Sequence, residues 1–224
     1  MTLNFTIAID GPSGVGKGTI ARRVAARLGY RHVDTGAMYR AVGWAALRQG
    51  IDLGEEDQIT QLARAVRIET RDDFTAIDGH DVTRAIRTPD IDRAASAVAR
   101  LAGVRAVLVE RQRQMGGGGV VMEGRDIGTV VFPDADVKIY LDAVAEERAR
   151  RRASDPSHAG EGTALAEVAT EMEARDRADS TRASSPLKPA ADAHVIDTTG
   201  LSIDQVTERV LAIVESRAKA LNRP

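Results

Sequence analysis

Phe5-Thr6-Ile7-Ala8-Ile9-Asp10-Gly11-Pro12-Ser13-Gly14-Val15-Gly16-Lys17-Gly18-Thr19 decides the fold. The apolar run from Phe5 to Ile9 predicts a buried strand, a glycine-rich turn follows at once, and the pattern from Ile20 to Leu28 predicts a helix. Strand, glycine-rich turn and helix in that order make a cradle for phosphate. The glycines let the backbone aim several N–H groups inward, and the helix adds its positive N-terminal end. Lys17 adds a full charge. The spacing G-x-x-x-x-G-K is that of the P-loop, with the flanks the motif requires. The plain alternative is an ordinary turn with a solvated lysine, and it would not need those flanks.

The rest of the chain is consistent with one compact α/β domain. With 224 residues and 43% hydrophobic content it can bury one sizeable core and carry a small insertion. It has no cysteine, which excludes thiol catalysis and thiolate metal clusters, and His32, His80, His158 and His194 lack ligand spacing. Met1 leads directly into the first strand, so no secretory or membrane segment is expected and a cytoplasmic location is. A net charge of -2 gives no basic excess for a nucleic-acid polymer.

Strand and helix signals then alternate, as in a doubly wound parallel sheet. Gly29 is read as a helix stop, Arg31-His32-Val33 as a second strand, Ala37 to Arg48 and Glu55 to Val66 as helices. Val66 to Thr70 and Phe74 to Ile77, with turn signals at Asp72-Asp73 and Asp78-Gly79, predict a small antiparallel insertion. Helices return between Ile91 and Met115. The glycine run 116–119 leads to a strand at Val120-Val121-Met122, and another strand runs from Val137 to Leu141. Glu146 to Ala153 reads as a charged helix, Ser154 to Thr163 as a mobile loop, and Leu165 to about Arg182 as a helix. His194-Val195-Ile196 is the last strand, and Ile203 to about Leu221 a closing helix capped near Ser202. Five strands should therefore form the main sheet. The P-loop, Asp34-Thr35-Gly36 and Arg125-Asp126 each follow a strand, so three strand ends should face one crevice.

Two arginine clusters stand out. Arg148, Arg151 and Arg152 share a helix face, as do Arg175, Asp179 and Arg182. Solvated salt-bridged faces would account for both patterns. Phosphoryl transfer would account for them differently, because it consists largely of aligning and neutralising negative charge, a task suited to arginine forks.

The motif Gly16-Lys17-Gly18-Thr19 resembles nucleoside monophosphate kinases. Together with Ile9 to Gly14, Asp34-Thr35-Gly36-Ala37-Met38-Tyr39-Arg40, Glu123-Gly124-Arg125-Asp126-Ile127-Gly128-Thr129-Val130-Val131-Phe132-Pro133, and Arg175-Asp176 continuing to Asp179 and Arg182, it makes the chain similar to the bacterial cytidylate kinases over nearly its whole length. The resemblance implies transfer of the terminal phosphoryl group of ATP, with magnesium, to CMP or dCMP. It implies that Gly11, Pro12, Ser13, Gly14, Val15, Gly16, Lys17, Gly18 and Thr19 hold ATP, with Thr19 near a magnesium ion held mainly by phosphates and water. Thr35, Arg105, Asp126 and Arg182 would read cytosine, and Ser96, Arg175 and Asp179 would approach the sugar. Arg40 and Arg125 would approach the acceptor phosphate, and Arg148, Arg151 and Arg152 would belong to a closing lid. Catalysis is thereby expected from Lys17, Arg125, Arg40, Arg148, Arg151 and Arg152.

The implied organisation is a single domain, 1–224. Its core would be 1–35, 88–145 and 183–224, its acceptor-binding segment about 36–87, and its lid with flanking helices about 146–182. A monomer is expected. Cytosine carries an exocyclic amino donor, which suits the acceptors Asp126 and Thr35, whereas uracil would set a carbonyl against Asp126. Asp126 as a loop cap and Ser96 as a helix residue bonded to its own backbone stay open. So do a shikimate-kinase-like metabolite kinase, an AMP or UMP kinase, and a nucleotide-binding module without catalysis.

Overall fold

The computed structural model describes residues 4–71, 74–155 and 165–221. The turn expected at Asp72-Asp73 and residues 156–163 of the expected mobile loop lie outside them. The main sheet has β1 (Thr6–Asp10), β2 (Arg31–Asp34), β6 (Val120–Gly124), β7 (Val137–Asp142) and β8 (His194–Asp197) in the order β2-β6-β1-β7-β8, all parallel. The strand order reverses beside β1, which opens a crevice at the carboxyl ends of β2, β6 and β1. The expected five-stranded, doubly wound sheet is therefore present.

Alternation along β1 shows why helices cover both faces. Ile7 and Ile9 point into a core shared with α1 (Lys17–Leu28), β7 and α8 (Ile203–Leu221), while Ala8 points into the opposite core with Val33, Met122 and Ile127. A third apolar cluster joins α2 (Thr35–Arg48), α3 (Glu56–Ala65), α4 (Pro89–Val98) and α5 (Ala102–Gln114) to the small sheet. That sheet is an antiparallel meander of β3 (Ile68–Arg71), β4 (Phe74–Ile77) and β5 (His80–Asp81). Asp78 at φ 50 and Gly79 at φ 79 make its two-residue hairpin turn, the backbone for which an Asp-Gly pair is favoured. Two further helices, α6 (Ala145–Ala153) and α7 (Leu165–Thr181), pack together beside the crevice. Ser202 caps α8, accepting from Gln205 N while Gln205 Oε1 accepts from Ser202 N.

Three local details differ from the periodicity. α1 begins at Lys17 rather than Ile20, because Gly16 adopts the left-handed conformation and turns the chain into the helix three residues early. Val66 closes α3 instead of opening a strand. Most consequentially, Ile127–Val131 forms a π-helical turn directly after Gly124-Arg125-Asp126. The Asp10 carboxylate accepts from Ile127 N at 2.9 Å and Gly128 N at 2.8 Å, anchoring that turn to the end of β1.

Candidate active site

The P-loop wraps over the end of β1. A Cβ on Gly11 would lie 2.2 Å from the Leu141 carbonyl oxygen, so the close passage against β7 admits only glycine there. Lys17 Nζ donates to Pro12 O at 2.6 Å across the loop. Burial, with Arg125 adding to it, pushes the lysine well below its ordinary pKa, the response of a cation short of anions. The loop is also braced from outside. Asp176 on α7 accepts from Ser13 N at 3.1 Å, and Arg148 on α6 donates to Ser13 O at 3.1 Å and pairs with Asp176.

A cavity of about 1170 Å³ opens from the P-loop along the ends of β2 and β6. Among the described residues its lining holds twelve lysines and arginines against five aspartates and glutamates. A cavity so charged is built for a polyanion. Ser13, Gly14, Val15, Gly16, Lys17, Gly18 and Thr19 line one end, and Thr35, Arg40, Ser96, Arg105, Arg125, Asp126, Arg175, Asp179 and Arg182 line the rest, with Arg151 and Arg152. Gly11 and Pro12 lie beneath the loop, buried. Arg148 is the exception among the arginines, because its guanidinium is turned to the back of the P-loop. The shared helix face of Arg148, Arg151 and Arg152 therefore divides: Arg151 bonds Thr198 Oγ1 at 2.9 Å and Thr198 O at 2.8 Å, while Arg152 pairs with Asp92.

The end of β6 carries the most selective grouping. Asp126 is buried and pairs with Arg105, and Arg182 Nη2 stands 3.7 Å from its other oxygen. Thr35 Oγ1 donates to Glu123 O at 2.7 Å, so towards the cavity that hydroxyl is left as an acceptor. Arg105 Nε, Arg175 Nε and Arg182 Nη2 are buried donors without a hydrogen-bond partner in the protein. Acceptors on Asp126 and Thr35 thus sit beside unmatched donors on Arg105 and Arg182.

Charge compensation holds these groups in place. Arg125 Nε donates to Asp179 at 2.9 Å, and Asp179, despite burial, is held below the usual carboxylate range by Arg125, Arg175 and Arg182. Arg40 Nε donates to Asp92 at 2.9 Å. Asp34 caps α2 by accepting from Ala37 N and also takes Arg87 Nη2 at 3.0 Å; burial opposes its ionisation, but Arg40 and Arg87 outweigh burial and hold it at about 2. Burial, helped by Arg125 and Arg40, pushes Arg175 down to about 10. Periodicity could not have found Asp176 or Asp92 as partners. Asp10 carried a weak signal, being an acid at the end of a buried strand.

The residues also fit a magnesium ion carried by nucleotide phosphates. No group of three or more His, Asp or Glu among the described residues could hold a metal alone. Thr19 lies exposed on the first turn of α1, and a Cβ on Gly18 would stand 3.0 Å from Glu123 Oε1, so this carboxylate overhangs the same turn. One hydroxyl and one carboxylate there suit an ion whose other ligands are phosphate and water.

A P-loop at a switch point, opening into a cavity rich in arginine with a buried acid, Asp126, in its wall, defines a P-loop phosphotransferase. The chain matches the family described as "Cytidylate kinase" over residues 7–216. It is 51% identical over 223 residues to a cytidylate kinase of Desulfitobacterium hafniense (strain Y51), covering 98% of this chain and 96% of that one. It is also 51% identical over 218 residues to one from Solibacter usitatus (strain Ellin6076), covering 94% and 92%. The chain belongs to the cytidylate kinase family. Among solved structures, a gluconokinase from Sinorhizobium meliloti 1021 shares the fold with a TM-score of 0.52 at 14% identity, covering 97% of this chain and 95% of that one. A shikimate kinase from Bacteroides thetaiotaomicron does so with 0.51 at 11%, covering 94% and 98%.

Proposed function

We propose that the protein transfers the γ-phosphoryl group of ATP to CMP or dCMP, giving ADP and CDP or dCDP. Beyond family membership, one observation carries this: Asp126 and Thr35 offer only acceptors to the cavity, beside donors of Arg105 and Arg182. Cytosine presents the complement, an exocyclic amino donor next to the N3 and O2 acceptors. Uracil would set O4 against Asp126, an unmatched buried acceptor pair costing about 1–3 kcal/mol.

In this reading Gly11 to Thr19 hold the ATP phosphates, and Lys17 leaves Pro12 O to bridge them. Thr19 and Glu123 would hold a magnesium ion arriving with the nucleotide, which when bound would neutralise phosphate charge. Ser96, Arg175 and Asp179 meet the sugar, while Arg40 and Arg125 fix the acceptor phosphate. One of its oxygens attacks the γ-phosphorus, the new P–O bond forms as the bond to ADP breaks, and no general base is needed because the acceptor is already ionised. Preorganised arginines stabilise the charge on the transferring group. Arg151 and Arg152, with 146–182 as the lid, exclude water that would otherwise hydrolyse ATP, and Arg148 braces the P-loop beneath the donor.

Residues 36–87 form the acceptor side, and the core of the single domain 1–224 comprises 1–35, 88–145 and 183–224. The enzyme is read as a monomer, which light scattering of the protein in solution would check. The enzyme is read as cytoplasmic; among the described residues no helix is long and apolar enough to cross a membrane. ADP release with CMP, dCMP, UMP, AMP and shikimate as separate acceptors tests the reading. Fast turnover with CMP and dCMP and weak turnover with UMP is expected, and preference for AMP or shikimate would overturn it.

A further inference from the structure

Asp92 has no place in the chemistry described so far. It lies in the first turn of α4, buried, and is absent from the cavity lining. Arg40 Nε of α2 donates to its Oδ1 at 2.9 Å, Arg152 of α6 pairs with Oδ2, and Arg175 Nη1 of α7 stands 3.6 Å from Oδ1. All three arginines line the cavity that Asp92 does not reach. Its neighbour Asp90, in the same turn, does what a helix-start acid ordinarily does, lying exposed and pairing with Arg93. Asp92 instead serves as the common anion of three guanidinium groups from three different helices.

The charge balance is informative. Asp34, Asp155 and Asp179 also act on these arginines, yet the cavity lining carries twelve lysines and arginines against five aspartates and glutamates, so with Asp92 added the cations still outnumber the anions and a further anion is favoured. Arg175 responds in the expected way, its pKa falling under burial and the nearby Arg125 and Arg40. A dianion on the cavity side would complete the set. Asp92 would then grip the guanidinium groups from behind while phosphate oxygens meet their open edges, since each planar fork offers five N–H donors.

We infer that Asp92 is a positioning residue that gathers Arg40, Arg152 and Arg175 into one receptor for the acceptor nucleotide, setting Arg40 towards its phosphate and Arg175 towards its sugar, and that through Arg152 it ties α6 to the acceptor side of the cavity. This rests on the reading that the CMP phosphate enters this cavity. Asp92 touches neither substrate. Its effect is therefore on the acceptor half of the reaction; because α4 also carries Ser96, the readouts that separate positioning of the arginines from support of α4 are the coupling to Arg152 and the charge-keeping Asp92→Glu variant.

The test uses the full-length enzyme with Asp92→Asn, Asp92→Glu, Arg152→Gln, Arg125→Ala and the double variant Asp92→Asn/Arg152→Gln. Asp92→Asn should raise KM for CMP at least about 10-fold and lower kcat, with KM for ATP nearly unchanged, as expected on loosening charge-assisted contacts made only to the acceptor. Asp92→Glu, which keeps the charge, should give an intermediate KM for CMP and serves if the asparagine variant fails to fold. The double variant should cost less in kcat/KM for CMP than the product of the single effects, because the two residues act together. Equal changes in both KM values, no change in KM for CMP, or multiplicative single effects would overturn the inference. Arg125→Ala separates the two levels: if it leaves KM for CMP unchanged, the reading of the cavity fails, whereas a raised KM there with an unaffected Asp92→Asn sinks this inference alone.

Discussion

Asp126→Asn should reverse the preference between cytosine and uracil. The substitution preserves shape but gives the side chain one acceptor and one donor. Arg105 donates to one oxygen while Arg182 only stands 3.7 Å from the other, so the amide oxygen keeps the bond to Arg105 and the NH₂ takes the place of the second oxygen, on the cavity side. There it meets the cytosine amino group donor to donor, and uracil O4 donor to acceptor. One mismatch gained and one relieved, each about 1–3 kcal/mol, shift the ratio of kcat/KM values by about 2–6 kcal/mol, or at least about 30-fold towards UMP. The lost charge also leaves the buried Arg105 guanidinium without its carboxylate, while Arg182 keeps Asp179 at 3.6 Å, and this costs about 3–5 kcal/mol of stability. For a chain of this size that lowers the melting temperature by roughly 6–20 °C. A coupled ADP-release assay with each acceptor, run below the variant's melting temperature, reads the ratio. A folded, active variant with an unchanged CMP-to-UMP ratio would refute the assignment of Asp126 to the base.

Lys17→Ala should lower turnover at least about 10²-fold, the scale of losing one preorganised electrostatic group, and near-normal turnover would show that the lysine does not bridge the donor phosphates. Gly124→Ala would place a Cβ 2.7 Å from Ile127 Cδ1 and 2.8 Å from Thr35 Oγ1. Such overpacking should cost about 1–3 kcal/mol and raise KM for CMP more than KM for ATP, which urea unfolding and steady-state kinetics would check. Burial raises Asp10 from 3.8 to about 6, so between those values the folded protein holds a proton that the unfolded chain has released. Stability from this group is full below the unfolded pKa and lost as pH rises through 6. The advantage of wild type over Asp10→Asn in urea unfolding should accordingly shrink by roughly 2 kcal/mol from pH 4 to pH 8, and a pH-independent difference would contradict the assignment. Removing residues 67–86 should raise KM for CMP far more than KM for ATP, and equal losses would contradict an acceptor role for the meander.

Much of the fold was legible because its signals are local. Glycines at fixed offsets mark the P-loop, apolar runs mark buried strands, and Asp78-Gly79 marks a hairpin turn with both residues at positive φ. The convergence of Lys17, Thr35 and Arg125 followed from the rule that places ligand sites at the carboxyl ends of parallel strands. Interactions between distant parts of the chain were hidden. Spacing put Arg148 with Arg151 and Arg152 but could not say that its fork would turn to Ser13 O and Asp176, because a long flexible side chain goes where a counter-charge lies. Nor does any pattern announce the π-helical turn at Ile127–Val131, which depends on the Asp10 carboxylate arriving from β1. Nothing in the sequence marks Asp92, and only the packing of four helices shows what it gathers.

If this cavity moves phosphate from ATP to a cytidine monophosphate, the transferred phosphorus can be followed. Incubating the enzyme with magnesium, ATP labelled in its γ-phosphoryl group and CMP, then separating the nucleotides, tests it most directly. Label is expected in the terminal phosphate of CDP, formed in step with ADP and lost in Lys17→Ala. Label recovered only as inorganic phosphate, or ADP formed at the same rate without CMP, would contradict it.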